Sequence, residues 1–174
     1  MVQEPTGGVP PNPRLLDWLA DHSVDYELHE HPPTHTARET ARAEGIDPRR
    51  FAKTLAVETA EGERALVALD ATDSLDLHKA ARLLGTDRVR LLTEAELAEL
   101  ASDCEIGALP PVGALYGVPV FADFAVRDDP EISFNAGSHR YTVHVEREAW
   151  ERAAGVAYGD LDLTDPTVPP WARS

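Results

Sequence analysis

Apolar and polar residues recur along this chain in two rhythms, one typical of helices and one typical of strands. Asn12 followed by Pro13 and the stretch RLLDWLADH predicts an amphipathic helix with a polar cap and proline in its first turn. Thr36 and Glu39 form the pattern of a capping box, so a second helix is expected there, ending at Gly45. Two of the expected helices therefore carry their own start signals.

Strands are predicted where apolar residues alternate or cluster between turn residues. In chain order these segments are the alternating stretch 24–28, KTLAVET, RALVALD, RVRLL, VPVFAD, EISFN and YTVHV. AEGE joins KTLAVET to RALVALD as a hairpin, and further helices are expected over 76–84, 94–101 and 146–154. Helices that alternate irregularly with hairpin-like strands predict a mixed α/β (α+β) domain on a largely antiparallel sheet.

The length of 174 residues suits a single domain. Half of the 14 prolines lie in the first thirteen or last nine residues, which predicts a core domain over 12–158 between tails at 1–11 and 159–174. No apolar run is long enough to span a membrane, and the first residues do not have the pattern of a secretory signal. A cytoplasmic location is expected.

The charge is strongly negative, with 16 Lys and Arg against 31 Asp and Glu. Bulk attraction to nucleic acid, DNA included, or to an anionic membrane is therefore excluded as a driving force. Between Pro32 and Arg90, however, ten basic residues balance ten acidic ones. A polyanion that binds this protein is expected to dock against that stretch.

Common catalytic motifs are missing, since the sequence has no GxxxxGK[ST], GxGxxG, HExxH or GxSxG. One candidate is Lys53 in Phe51-Ala52-Lys53-Thr54-Leu55, where a strand begins. A lysine placed there can point its ammonium into a cleft and hold a phosphate, a carbonyl oxygen or a ribose hydroxyl. The sequence leaves open that Lys53 is an ordinary surface lysine.

Two loops are further candidates. The first runs from Gly107 to Gly113 and contains Pro111, and its backbone N–H groups are expected to face a developing oxyanion. The second is a polar turn whose side chains suit recognition of a small substrate; its members are Asn135, Gly137, Ser138 and His139. Plain connecting turns remain the alternative for both loops.

Histidines and the single cysteine receive less weight. His29, His31 and His35 supply enough imidazoles for a metal site, but the double proline after His31 kinks the chain between them. No metal or other cofactor is therefore expected. Cys104 lies between Asp103 and Glu105, which disfavours a thiolate, so a structural cysteine is expected.

Taken in order, several segments resemble the YbaK and prolyl-tRNA-synthetase-associated domain family of aminoacyl-tRNA deacylases. The matching segments cover residues 24–146 and are YELHEHPPTHTARETARAEGI, FAKTLAV, LHKAARLLG, CEIGALPPVG and ISFNAGSHRYTVHV. The resemblance implies a strongly curved mixed sheet flanked by helices, with a cleft for the 3′ end of a mischarged tRNA. It maps the family lysine onto Lys53, the glycine loop onto Gly107 to Gly113, and the late polar segment onto Asn135, Gly137 and His139.

The resemblance also implies the reaction, which is hydrolytic removal of alanine, serine, threonine or cysteine from tRNA, often tRNA for proline. Cysteine selectivity is not implied, because GALPPVG departs from the Gly-Gly-x-Ser-Pro loop of that branch. Weak, salt-sensitive binding of the aminoacyl-tRNA 3′ end is expected. The alternatives are a non-catalytic module of the same fold, which binds aminoacyl-tRNA or a synthetase, and the histidine metal protein.

Overall fold

The structure is a computed structural model that describes residues 9–163. This part of the chain contains eight strands and six helices. The helices are α1 Pro13–Asp21, α2 Ala37–Ala43, α3 Leu77–Leu84, α4 Glu94–Leu100, α5 Phe124–Arg127 and α6 Arg147–Ala154. The strands are β1 Tyr26–Glu30, β2 Ala52–Thr59, β3 Arg64–Asp70, β4 Val89–Leu91, β5 Val120–Asp123, β6 Glu131–Ser138, β7 Tyr141–Glu146 and β8 Ala157–Gly159. Short 3-10 turns cover Pro48–Arg50 and Gly113–Leu115.

The strands are divided between two sheets. One has the order β1-β7-β6 and is antiparallel throughout. The other has the order β4-β2-β3-β5-β8, in which β3, β5 and β8 run parallel and the remaining pairs antiparallel. The predicted mixed α/β class with mainly antiparallel pairing is confirmed, although the resemblance implied one central sheet. Strong curvature of the sheet stays a prediction.

Local capping signals place the helices as expected. The Asn12 side chain accepts hydrogen bonds from the N–H groups of Arg14 and Leu15 at the start of α1. Thr93 and Glu96 form both halves of a capping box at α4. Two short elements, α5 and β8, were not predicted, because neither is long enough to produce a periodic pattern.

The five-stranded sheet separates two apolar clusters, and this fixes the direction of each side chain on β2 and β3. Residues such as Ala56 and Leu66 face the main core, where Phe134 and Trp150 are fully buried. Val57 and Leu69 face the opposite cluster, which includes α3. Successive side chains on a strand alternate between its faces, so Lys53 shares the α3 side with Val57.

Among residues 9–163, strand β1 pairs only with β7 and forms an edge of its sheet, and all five of its residues are exposed. Tyr26 and Leu28 leave 37% and 39% of their surface accessible. No helix within residues 9–163 has the length and apolar character needed to cross a membrane.

The expected tails fall mostly outside the described residues, at 1–8 and 164–174. Within the described part, Leu161 is fully buried and Asp162 forms a bridge with Leu75. The tail boundaries at 11 and 159 stay a prediction.

Candidate active site

Lys53 is held half-buried near the start of β2, opposite Leu69 of β3. Its ammonium donates a hydrogen bond to the backbone carbonyl of Asp73. Burial lowers the pKa of Lys53, and Arg38 lowers it further, while the carboxylates of Asp73 and Asp162 act in the opposite direction. A partly desolvated ammonium of this kind is attracted strongly to an anionic ligand.

A hollow of about 390 Å³ lies next to this lysine, and its lining residues are Arg38, Arg42, Pro48, Thr72 and Asp73. We call Lys53 together with this hollow the lysine cleft. Arg38 reaches across from α2 and donates to the backbone carbonyl of Thr72 over 3.1 Å. Helix α2 therefore supplies two arginines to the lining of the hollow, and the Arg38 guanidinium acts on the ammonium of Lys53.

Acidic groups limit the positive charge of the lysine cleft. Burial raises the pKa of Asp73, and the nearby carboxylates of Asp162 and Asp123 raise it further. Burial also raises the pKa of Asp70 to about 8, with added repulsion from Asp129 and Asp73. Asp70 pairs with Ala52, the neighbour of Lys53, so protonation of this acid alters the charge near the cleft.

The second group of candidates lies where β6 turns into β7, at an irregularity between Asn135 and Ser138. Gly137 has φ +78°, and an added Cβ would lie 2.9 Å from Asn12 Cβ and 3.2 Å from Cys104 Sγ. Its N–H donates to the carbonyl of Ala108 over 3.0 Å. Glycine is required at this position by both conformation and space.

The polar neighbours of Gly137 differ in how well they are satisfied. Ser138 is fully buried, and its hydroxyl donates to the Val9 carbonyl over 2.6 Å. Asn135 is 7% exposed, and its Oδ1 has no hydrogen-bond partner among residues 9–163. A buried amide oxygen without a partner is available to a ligand donor.

His139 joins the turn to the glycine loop. Its backbone N–H donates to Glu105 Oε1 over 3.1 Å, and its Nε2 donates to the Ile106 carbonyl over 2.6 Å. Gly107, with φ +85°, leaves room for this ring, since an added Cβ would lie 3.4 Å from His139 Cε1. We call residues 135–139 together with Gly107 the glycine turn.

The rest of the loop lies in the packed interior, where Ala108 to Gly113 are all buried and only Gly107 is exposed. The Pro111 carbonyl accepts a hydrogen bond from Trp150 Nε1 over 2.9 Å. Gly113 lies directly against the Val118 carbonyl, which leaves no space for a side chain. Packing thus accounts for both Pro111 and Gly113, and Gly107 is the part of the loop that solvent reaches.

Within residues 9–163, no hydrogen bond joins Lys53 to the glycine turn. The segment that carries α2 contacts both regions, because Thr34 N–H donates to the His139 carbonyl over 3.3 Å while Arg38 donates to the Thr72 carbonyl.

The sequence analysis missed Thr72 and Asp73 as lining residues of the lysine cleft. A signal was available in DATDSLD, in which one aspartate ends the strand that pairs with β2, the strand of Lys53, and two more follow it.

A buried polar cluster anchors the end of α2 to the three-stranded sheet. Ser133 Oγ lies 2.5 Å from His144 Nδ1, and His144 Nε2 lies 3.1 Å from Glu44 Oε2. Burial pushes the pKa of Glu44 up, but hydrogen bonds from His144 and Thr142 outweigh it and hold this pKa below its usual value. His31 Nε2 is 4.0 Å from the same carboxylate.

For the histidine alternative, no group of three or more His, Cys, Asp or Glu side chains in the described part of the chain is arranged to hold a metal ion. Cys104 is also largely buried, and its Sγ lies 3.0 Å from the Tyr116 hydroxyl. Burial raises the pKa of its thiol, with a contribution from Asp103. This position favours a packing role for Cys104.

Comparison with known families decides how this arrangement is classified, because the aminoacyl-tRNA editing domain matches residues 31–153. The chain belongs to the aminoacyl-tRNA editing domain family. The matched range contains the lysine cleft and the glycine turn, so both regions are part of the editing domain. The family resemblance drawn from the sequence is confirmed.

Solved structures of similar fold span nearly the whole chain. A protein described as a candidate trans-editing enzyme for prolyl-tRNA synthetase is 28% identical, with a TM-score of 0.78 over 89% of this chain and 98% of its own. A scaffold protein used for computational epitope grafting is also 28% identical, with a TM-score of 0.78 over 90% of this chain and 99% of its own. A hypothetical protein at 21% identity and a TM-score of 0.79, over 86% of this chain and 99% of its own, supports the fold alone.

Proposed function

We propose that this editing-domain protein is a trans-editing deacylase that hydrolyses the ester of a mischarged tRNA. The amino acid removed is a small non-cognate one, from the set alanine, serine, threonine and cysteine, and tRNA for proline is the first carrier to test. Membership of the editing-domain family supports the class of reaction. The observation that carries the assignment to this chain is the half-buried Lys53 beside a hollow lined by Arg38 and Arg42.

The chemistry requires positioning more than a strong protein nucleophile. In hydrolysis, a water oxygen attacks the ester carbonyl, the bond to the ribose oxygen breaks, and that oxygen takes up a proton. An aminoacyl ester is already reactive, so preorganised hydrogen-bond donors account for most of the expected acceleration. Lys53 exchanges its contact with the Asp73 carbonyl for the terminal phosphate or a ribose hydroxyl of the substrate.

The glycine turn takes the aminoacyl end in this proposal. The N–H of Gly107 is the donor offered to the carbonyl oxygen, because the remainder of its loop is buried. His139 and the Asn135 amide oxygen, which has no partner among residues 9–163, line the space for the amino acid. Arg38 and Arg42 lie on α2 and line the lysine cleft, where phosphate contacts make binding of the 3′ end salt-sensitive.

A deacylation panel tests this proposal. The protein is incubated with tRNA for proline and tRNA for alanine, each charged with alanine, serine, threonine, cysteine or proline. We expect release of one non-cognate amino acid, and loss of about 100- to 1,000-fold in its rate on Lys53→Ala, the effect of removing one preorganised donor. Arg152→Ala is the matched control, because it removes an exposed cation on α6.

A non-catalytic binding module of the same fold is the second candidate. It is favoured by the glycine turn, in which packing or hydrogen bonds to neighbouring backbone already account for Gly137 and Ser138. Release at the spontaneous rate across the whole panel, together with salt-sensitive RNA binding, would support the module and contradict the deacylase. Turnover that is unaffected by Lys53→Ala would contradict the role given to that lysine.

A further inference from the structure

Arginines without an acidic partner are informative in a protein with nearly twice as many acidic as basic residues. Six of the thirteen arginines among residues 9–163 form an ion pair with a carboxylate, as Arg14 does with Asp103 and Arg90 does with Glu96. Arg82 and Arg127 are among the others, and they make no ion pair or side-chain hydrogen bond with any of residues 9–163. Two positive groups therefore stay available on a surface where carboxylates are abundant.

These two arginines flank an exposed aromatic ring. Phe124 leaves 44% of its surface accessible at the start of α5, a position fixed by Asp123, whose carboxylate accepts from the N–H of Ala125. The Arg127 guanidinium lies 4.8 Å from the centre of the Phe124 ring and 5.7 Å from that of Tyr158. We call Arg82, Phe124, Arg127 and Tyr158 the aromatic platform.

A hollow of about 370 Å³ opens at this platform, with Arg82, Leu83, Phe124 and Tyr158 in its lining. An exposed phenyl ring beside unpaired guanidinium groups matches what single-stranded nucleic acid requires, namely a flat face for a base and cations for its phosphates. Base stacking of this kind does not depend on the identity of the base.

The aromatic platform is a close neighbour of the lysine cleft. The segment Gly159–Asp162 separates them, since Gly159 and Asp160 line the platform hollow while the Asp162 carboxylate acts on Lys53 and Asp73. Lys79 ties this segment in place by donating to Asp160 Oδ1 over 2.9 Å and to the Asp162 carbonyl over 2.7 Å. The aromatic platform therefore lies within reach of a strand of RNA whose end occupies the lysine cleft.

We propose that the aromatic platform stacks a base of the single-stranded 3′ end of RNA, upstream of the terminal nucleotide held in the lysine cleft. This inference rests on the proposed function for the direction of the strand, but it concerns RNA binding and not hydrolysis. It gives an acidic protein a local source of affinity that does not depend on overall charge.

The test measures binding of a 5′-labelled, eight-nucleotide single-stranded RNA ending in CCA by fluorescence anisotropy. Phe124→Ala is expected to weaken binding about tenfold, in line with the loss of one stacked base. Phe124→Trp is expected to restore binding, whereas Phe124→Leu, which keeps an apolar side chain without a ring, is not. Leu91→Ala is the control, because Leu91 is an exposed apolar residue on β4.

Arg82→Gln tests the phosphate contact separately. Losing one contact to a single strand lowers the slope of log K against log salt by about 0.7. Unchanged binding by Phe124→Ala, or equal binding by the Trp and Leu variants, would overturn the inference. Absence of any RNA binding by the wild type would overturn it as well.

Outcomes for this inference and for the proposed function are separable. Phe124-dependent RNA binding without Lys53-dependent deacylation supports the platform and contradicts the deacylase. Lys53-dependent deacylation whose KM is unaffected by Phe124→Ala supports the deacylase and contradicts the platform. If the protein is a deacylase and the aromatic platform also stacks a base, Phe124→Ala raises KM for charged tRNA and leaves kcat unchanged.

Discussion

The lysine cleft and the glycine turn both lie in the range that the editing-domain family matches, yet their surroundings in the fold differ. In the glycine turn, Gly137 and Ser138 are explained by a close contact and a buried hydrogen bond. In the lysine cleft, Lys53 is half-buried, and the neighbouring arginine and carboxylates shift its pKa in opposite directions. A structural residue is recognised by its packing contacts and satisfied hydrogen bonds. A candidate functional residue is recognised by a charge that its surroundings compensate only in part.

The sharpest separation of the two regions comes from Lys53→Met. We expect deacylation to fall by about 100- to 1,000-fold while the free energy of unfolding changes by about 1 kcal/mol or less, since Lys53 loses one hydrogen bond, to the Asp73 carbonyl, and makes no ion pair with residues 9–163. Single-turnover kinetics and urea denaturation of the same sample measure both quantities. A large loss of stability would instead assign Lys53 to the framework of the fold.

Gly137→Ala is expected to show the reverse behaviour. The positive φ and the 2.9 Å approach to Asn12 Cβ predict a loss of about 2–4 kcal/mol in the free energy of unfolding. Gly62→Ala is the matched control, because Gly62 has φ +85° and no atom within 4 Å of an added Cβ. It measures the conformational cost alone, about 1 kcal/mol. Equal losses in the two variants would remove the packing argument for Gly137.

Asp70, near the lysine cleft, predicts a pH dependence of intermediate size in the free energy of unfolding. The pKa of Asp70 is raised to about 8 in the folded protein, so the folded state holds a proton that the unfolded state has lost between about pH 4 and pH 8. The free energy of unfolding therefore falls as pH rises through this window.

Asp70→Asn removes that dependence. We expect the variant to be more stable than the wild type at pH 8 by about 1–3 kcal/mol, with the difference vanishing near pH 4. Urea denaturation between pH 4 and pH 9 measures this. Parallel pH profiles for the two proteins would show that Asp70 is charged in the folded state at neutral pH.

Ser138→Ala gives the smallest expected effect. It leaves the Val9 carbonyl and the N–H of Arg140 without their bonds to the Ser138 hydroxyl. A loss of about 1 kcal/mol in the free energy of unfolding is expected, with deacylation of the selected substrate unchanged. A fall in kcat without any loss of stability would show that Ser138 contacts the substrate and is not only a structural residue.

Local patterns predicted a large part of the fold. The caps at Asn12 and Thr36 and the hairpin of β2 and β3 depend on neighbours in sequence, and the structure confirms them. The parallel pairing of β3 with β5 joins residues more than 50 positions apart, and no local pattern records it. The division into two sheets was missed for the same reason.

The site was predictable only to the extent that its residues carry unusual local signals. Lys53 became a candidate through its place at the start of an apolar strand, and the resemblance to the editing-domain family singled it out over an ordinary surface lysine. Thr72 and Asp73 become lining residues only through the packing of α2 across the end of β3, as the bond from Arg38 to Thr72 illustrates. Phe124 gave no signal, since one aromatic residue between a strand and a four-residue helix has no periodic partners.

The open edge of β1 sets a limit on how this protein can be engineered. Tyr26 and Leu28 expose apolar surface there, and an unpaired strand edge is a template for association with other chains. Glu27 and Glu30 place negative charge along that edge, and the protein as a whole is acidic, so copies of this chain repel one another there. Replacing carboxylates with neutral or basic residues to strengthen RNA binding would weaken this repulsion. RNA affinity and resistance to aggregation therefore oppose each other in this molecule.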